Sequence, residues 1–218
     1  MRHFLAALLI LFQAPCTCFP SAVEVPALGS PATKLAASTY TIPPRSVRIL
    51  AGLVDPKKVD TLQGNRAANS RLRKICCWLA GSRNNGADAG VTLVLAQQKA
   101  GYGGTRRADE DKEAILRNLM ILERLGCLTD DGMSKLRRGN APTITRGPFA
   151  GEIVEVDHII PRSVAPELDE KLFNLEFIPS SVNRRKSDSI APRQQALAKR
   201  WASEGLLGLS TTDRVLTK

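Results

Sequence analysis

The stretch GEIVEVDHIIPRSVAPELDEKLFNLEFIPSSVNRRKSD, residues 151–188, decides how the chain is read. Its opening segment, Ile153 to Ile160, is rich in β-branched residues and predicts a strand. Leu175 to Ile178 predicts a second, shorter strand, and Val182 to about Asp188 a helix. On that frame stand Asp157-His158, followed by Ile159-Ile160-Pro161, then Asn174 in Asn-Leu-Glu, then Asn183-x-x-Lys186. A carboxylate next to a histidine sets a hard metal ligand beside a proton acceptor, and Asn183 offers a second oxygen. In a helix, residues three apart share a face. Asn183 and Lys186 could then present a metal ligand and a cation to the same phosphate.

That combination suits phosphodiester cleavage. Attack on a phosphate raises the charge around phosphorus. A hard cation held through carboxylate and amide oxygens can neutralise both that charge and the leaving oxygen. The attacking water must lose a proton, and imidazole accepts protons near neutral pH. The chain has two histidines. His3 falls in an address-like start, which leaves His158 as the candidate base. Strand alternation sends neighbouring side chains to opposite faces. Asp157 and His158 therefore serve one site only if the strand twists or ends there, and Pro161 predicts an early end.

At these residues the chain resembles the HNH nuclease family, in the variant whose last signature histidine is asparagine. The likeness covers about residues 140–190. It extends to Arg138-Gly139-Asn140-Ala141-Pro142-Thr143, which is similar to the lead-in of some members. The resemblance implies a ββα-metal unit in which two strands and a helix clasp one divalent ion, with Mg or Mn expected. It implies that His158 is the general base, that Asp157 and Asn183 ligate the ion, that Asn174 holds the histidine loop, and that Lys186 touches the phosphate or supports the site. Many members brace this unit with CxxC zinc pairs. None occurs here, so flanking helices must hold it.

Upstream, the texture is helical. Arg66 to Leu79 carries a basic face (Arg66, Arg71, Arg73, Lys74) and an apolar one (Leu72, Ile75, Cys76, Leu79). Asn84-Asn85-Gly86 predicts a turn. Val91 to Lys99 fits a helix, although Val91, Thr92 and Val94 also suit a strand. Asp109 to Leu125 is a helix with acids at its start and Gly126 as its stop. Asp130 to Leu136 makes one more short helix, Thr143-Ile144-Thr145 a short β segment, and Arg193 to Ser203 a final helix. The expected class is α+β: a helical region over 58–138, an HNH unit over 139–204 that ends in a C-terminal helix, and a tail over 205–218. Residues 23–57, broken by Pro26, Pro31, Pro43, Pro44 and Pro56, are expected as an extended linker.

The start has the order of a secretory signal peptide over residues 1–22. Arg2 and His3 precede the apolar run Phe4 to Phe12, then come small residues and prolines. That run is shorter than the ~20 residues a bilayer span needs, so no stable membrane insertion is expected after its removal. The expected location is secreted or periplasmic. Without residues 1–22, Cys76, Cys77 and Cys127 remain. One bridge from Cys127 to Cys76 or Cys77 is open, and so are buried free thiols.

A net charge of +10 favours a polyanionic partner. Arg162, Arg184 and Arg185 flank the expected site, and Arg138 and Arg146 lie upstream. Such residues grip phosphates without reading sequence. The expected activity is therefore that of an endonuclease with little sequence specificity, on DNA first and RNA second, its oligomeric state open. One rival is an HNH-fold protein that binds nucleic acid but has lost catalysis. The other is a secreted structural or adhesion protein whose basic surface binds anionic polymers.

Overall fold

The computed structural model describes residues 44–62, 67–186 and 188–218. The expected signal segment, the linker up to residue 43, Arg66 and Ser187 lie outside them. The first described helix, α1 (Pro44–Val54), occupies part of the expected linker, and a single turn, α2 (Pro56–Val59), follows. Of the prolines that argued for a linker, Pro44 and Pro56 stand at helix starts. There a missing N–H costs nothing and a fixed φ is already helical. Ser46, Leu50, Ala51 and Val54 make its buried face, a spacing of four, one and three that keeps one side of a helix inward.

Next come α3 (Ala67–Asn84), α4 (Ala89–Lys99), α5 (Arg106–Arg124) and α6 (Asp130–Arg138). The starts of α4, α5 and α6 are capped by short polar side chains. Asp88 accepts from the Val91 N–H, Thr105 from Ala108 and Thr129 from Gly132, satisfying donors a helix start leaves free. At the end of α6, Gly139 takes a left-handed conformation (φ +82°). A side chain there would collide with Ser70 of α3, so only glycine lets the chain turn so close to that helix.

The sheet has two antiparallel strands, β1 (Val154–His158) and β2 (Leu175–Pro179), with Val156 opposite Phe177 and Asp157 opposite Glu176. Thr143-Ile144-Thr145 contributes an isolated bridge, Thr143 to Ile153. Helix α7 (Ser180–Lys186) follows β2 directly and packs on both strands. Then α8 (Pro192–Ser203) and α9 (Leu209–Thr217) end the chain. The class is α+β, as expected. The expected C-terminal helix is α8, and the expected tail forms a further helix whose Thr211, Thr212 and Val215 are buried.

Two apolar clusters organise these elements. The larger joins α1 and α3–α6 to the inner faces of the strands, through Val154, Val156, Leu175 and Phe177. The smaller gathers Ile160, Val164, Ala165, Leu168 and Phe173 around Trp201 and Val215, with Phe173 edge-on to Trp201 at 4.8 Å. Thus the loop leaving β1 rests on a core supplied by the C-terminal helices. Cys76, Cys77 and Cys127 are free and buried. Burial pushes the Cys127 thiol up to about 11 and the Cys76 thiol higher still, which keeps them protonated and inert.

Two buried asparagines seat the hairpin on the helices. Asn118 of α5 accepts from the Phe177 N–H (2.7 Å) and donates to the Leu175 carbonyl (2.8 Å). It closes the outer edge of β2 where a third strand would otherwise pair. Asn69 of α3 donates to the Val156 carbonyl (3.3 Å) on the outer edge of β1. Unpaired ladder groups buried from water are costly, so these amides let a two-stranded sheet be buried.

Candidate functional site

The free edge of β1 faces α3, and a cavity of about 370 Å³ lies along it. Asp157, His158, Asn183 and Arg162 line it, together with Glu155, Asp169 and Glu170. The opposite wall comes from Ala68, Asn69 and Arg73 of α3 and from Ala141. Alternation had set Asp157 and His158 on opposite faces of the strand. They meet because β1 ends at His158 and because side chains of both faces reach a cavity beside a strand edge.

Helix α7 closes the outer face of the hairpin. Alternation places Glu155 and Asp157 on that face, away from buried Val154 and Val156. Asn183 donates through Nδ2 to Glu155 Oε2 at 2.6 Å, which turns its amide oxygen away from that contact. Three residues on, Lys186 Nζ donates both to Asp157 Oδ2 and to the His158 carbonyl. The spacing that put Asn183 and Lys186 on one face thus places both against β1.

Asn174 lies behind the cavity, wholly buried at the start of β2. Its Oδ1 accepts from the Ile160 N–H (2.8 Å), and its Nδ2 donates to the carbonyls of Ile160 (3.1 Å) and Leu168 (3.4 Å). Its own carbonyl accepts from Ile159 (2.7 Å). One side chain therefore ties both ends of the 160–168 loop. That loop carries His158 into contact with Asp169: Nε2 lies 2.9 Å from Asp169 Oδ1 and 3.0 Å from its backbone carbonyl. Arg162 Nη1 stands 3.5 Å from the other carboxylate oxygen.

The other expected arginines are placed differently. Arg184 and Arg185 are exposed on α7. Arg138 is exposed at the end of α6 and bonds Ser134 (2.9 Å), and Arg146 is exposed beside Gly126. None of the four lines the cavity. Arg193 is held by Glu176, the residue opposite Asp157, and Arg117 joins the same carboxylate at 3.2 Å. Burial opposes ionisation of Glu176, but the Arg193 hydrogen bond and the charges of Arg193 and Arg117 outweigh it and hold its carboxyl below the usual range.

Several site residues carried no sequence signal strong enough to be singled out. Glu155, two before Asp157 in a strand, shares its face, and strand periodicity could have found it. Arg73 stood on a basic helical face, but nothing in its spacing aimed it at the cavity. Asp169 and Glu170 sit in an irregular loop without a period. Burial and the neighbouring Asp169 push the Glu170 carboxyl up.

No family model matches the chain, and neither a curated protein nor a solved structure does.

Proposed function

We propose that this chain is a metal-dependent HNH-type endonuclease that hydrolyses phosphodiester bonds in DNA with little sequence specificity, acting outside the cytoplasm. The observation that carries the reading is the convergence of Asp157, His158 and Asn183 on one cavity, at the end of a hairpin backed by a helix. The fold it implies is the ββα-metal unit, formed by β1, β2 and α7.

The donor chemistry fits a hard ion. Asp157 offers a carboxylate, Asn183 an amide oxygen, and Glu155 a further carboxylate on the same strand face. Among the described residues no three His, Cys, Asp or Glu side chains form a metal-holding group. An ion held by Asp157 and the Asn183 amide would thus keep several waters, the usual habit of Mg. Asp157, Glu155, Asp169 and Glu170 line the cavity against Arg73 and Arg162, so its wall holds more negative than positive side chains. A phosphate enters such a cavity favourably only with added positive charge. A bound divalent ion would supply it and would neutralise the leaving oxygen. His158 takes the proton of the attacking water. Lys186 steadies the Asp157 carboxylate, and Arg162, Arg184 and Arg185 hold flanking phosphates.

The contact of Lys186 with Asp157 favours a second reading, a nucleic-acid-binding protein without catalysis, because a fixed cation already satisfies that carboxylate. Incubation of the full chain with plasmid DNA separates the two, with Mg or Mn, with a chelator, and with His158→Ala. Cleavage that needs the ion and falls on the order of 10²-fold or more in the variant supports the nuclease. Salt-dependent binding without turnover under any ion supports the second reading.

A further inference from the structure

Resting on the nuclease reading, we infer that Asp169 is a positioning residue that fixes the proton of His158 on Nε2 and leaves Nδ1 as the basic nitrogen. The evidence is geometric. His158 Nε2 lies 2.9 Å from Asp169 Oδ1 and 3.0 Å from the Asp169 carbonyl. Both oxygens are acceptors, so the ring nitrogen beside them is the donor: its hydrogen bond runs to the carbonyl, and the carboxylate oxygen of the same residue lies within reach of the same N–H. A neutral imidazole carries one N–H. With Nε2 committed, Nδ1 holds the free lone pair and is the atom that can accept a proton from water.

The loop is built to keep this contact. Asp169 follows the single helical turn Pro166–Leu168, and its N–H donates to the Pro166 carbonyl (3.1 Å). Leu168 is buried in the cluster around Trp201, and the Asn174 side chain bonds the Leu168 carbonyl just before Asp169 and both backbone groups of Ile160 just after His158. The same amide thus sets the separation of His158 from Asp169. Arg162 faces the second carboxylate oxygen at 3.5 Å and leaves free the oxygen that stands beside His158. A carboxylate on the far nitrogen of a catalytic histidine holds the ring's tautomer and orientation, and an amide in its place leaves the geometry but supports the wrong tautomer.

The test is nitrogen-15 and proton magnetic resonance of the full chain, without metal or substrate, alongside Asp169→Asn and Asp169→Ala. His3→Gln assigns the signals, because His3 and His158 are the two histidines of the chain. The expected result is a slowly exchanging, downfield N–H proton on Nε2 of His158 and an unprotonated Nδ1. In Asp169→Ala that proton is lost to fast exchange. In Asp169→Asn, whose amide can donate to Nε2, protonated Nδ1 gains population. Turnover in both variants falls on the order of 10²-fold with KM within about twofold. A proton on Nδ1 in the unsubstituted chain overturns the inference, as does an N–H signal unchanged in Asp169→Ala, which would leave the backbone carbonyl as the effective partner. The resonance readout needs no catalysis. A chain that fails to cut DNA but shows the Nε2 proton therefore refutes the nuclease reading and not the hydrogen bond.

Discussion

Asn174 shows how one side chain can hold a site it does not line. Each of its polar atoms has a partner, and all lie away from water. Asn174→Ala removes those bonds and leaves the Ile160 N–H and the carbonyls buried without partners. Such a group costs ~1–3 kcal/mol. The variant is expected to lose ~2–4 kcal/mol of unfolding free energy in urea titration. Its turnover on DNA should fall further than that of an equally destabilised core variant measured below its unfolding midpoint. Equal activity loss in both would mean that Asn174 serves stability alone. Asn174 was singled out from its motif, whereas Asp169 was not. Nothing in the spacing of a loop residue says which imidazole nitrogen it will meet.

At the scale of the element, the hairpin is held by charge as well as by buried amides. Glu176 of β2 meets Arg193 of α8 and Arg117 of α5, so one carboxylate ties the strand to helices on either side of it in sequence. Because Glu176 is held below the usual carboxylate range, the folded state binds fewer protons there than the unfolded chain. The contribution is therefore present above the ordinary glutamate value of ~4.3 and is lost as pH falls through the lower folded value. Unfolding free energy measured from pH 7 down to pH 3 is expected to decline on the acid side. Glu176→Gln should lower the plateau at neutral pH and flatten that decline. An unchanged acid slope in the variant would assign the decline to other carboxylates. Strand existence was legible from the β-branched run at 153–160 and the shorter candidate at 175–178. The buried polar edges were not, because Asn69 and Asn118 look like any other polar residue in an amphipathic helix.

Across the whole molecule, the N-terminal helices belong to the same core as the hairpin. Leu50 and Val54 are fully buried in the cluster that also contains Val154, Val156 and Phe177. Leu50→Ala is expected to cost ~2–5 kcal/mol in denaturant titration, as for other large-to-small core changes. A loss under ~1 kcal/mol, typical of an exposed site, would show that α1 adds little to the core. No helix among the described residues is long and apolar enough to cross a membrane.

The sequence by itself reached the mixed helix and strand class, helices expected over 66–79, 109–125 and 130–136, strands expected over 153–160 and 175–178, and Asp157, His158, Asn174, Asn183 and Lys186 as the candidate set. Those features rest on local rules: apolar period, capping residues and fixed spacing along one helix or strand. The tertiary structure decided what local rules cannot reach. Proline punctuation read as a linker over 44–57 gave way to a helix whose apolar face found a partner surface. Asp157 and His158 came to one cavity because α3 stands against the free edge of β1. Asp169 met His158 because Asn174, Leu168 and the Trp201 cluster fold a loop of no regular period back onto the strand. Contacts between residues far apart in sequence, or within an irregular loop, leave no period to read, since they depend on where whole elements pack.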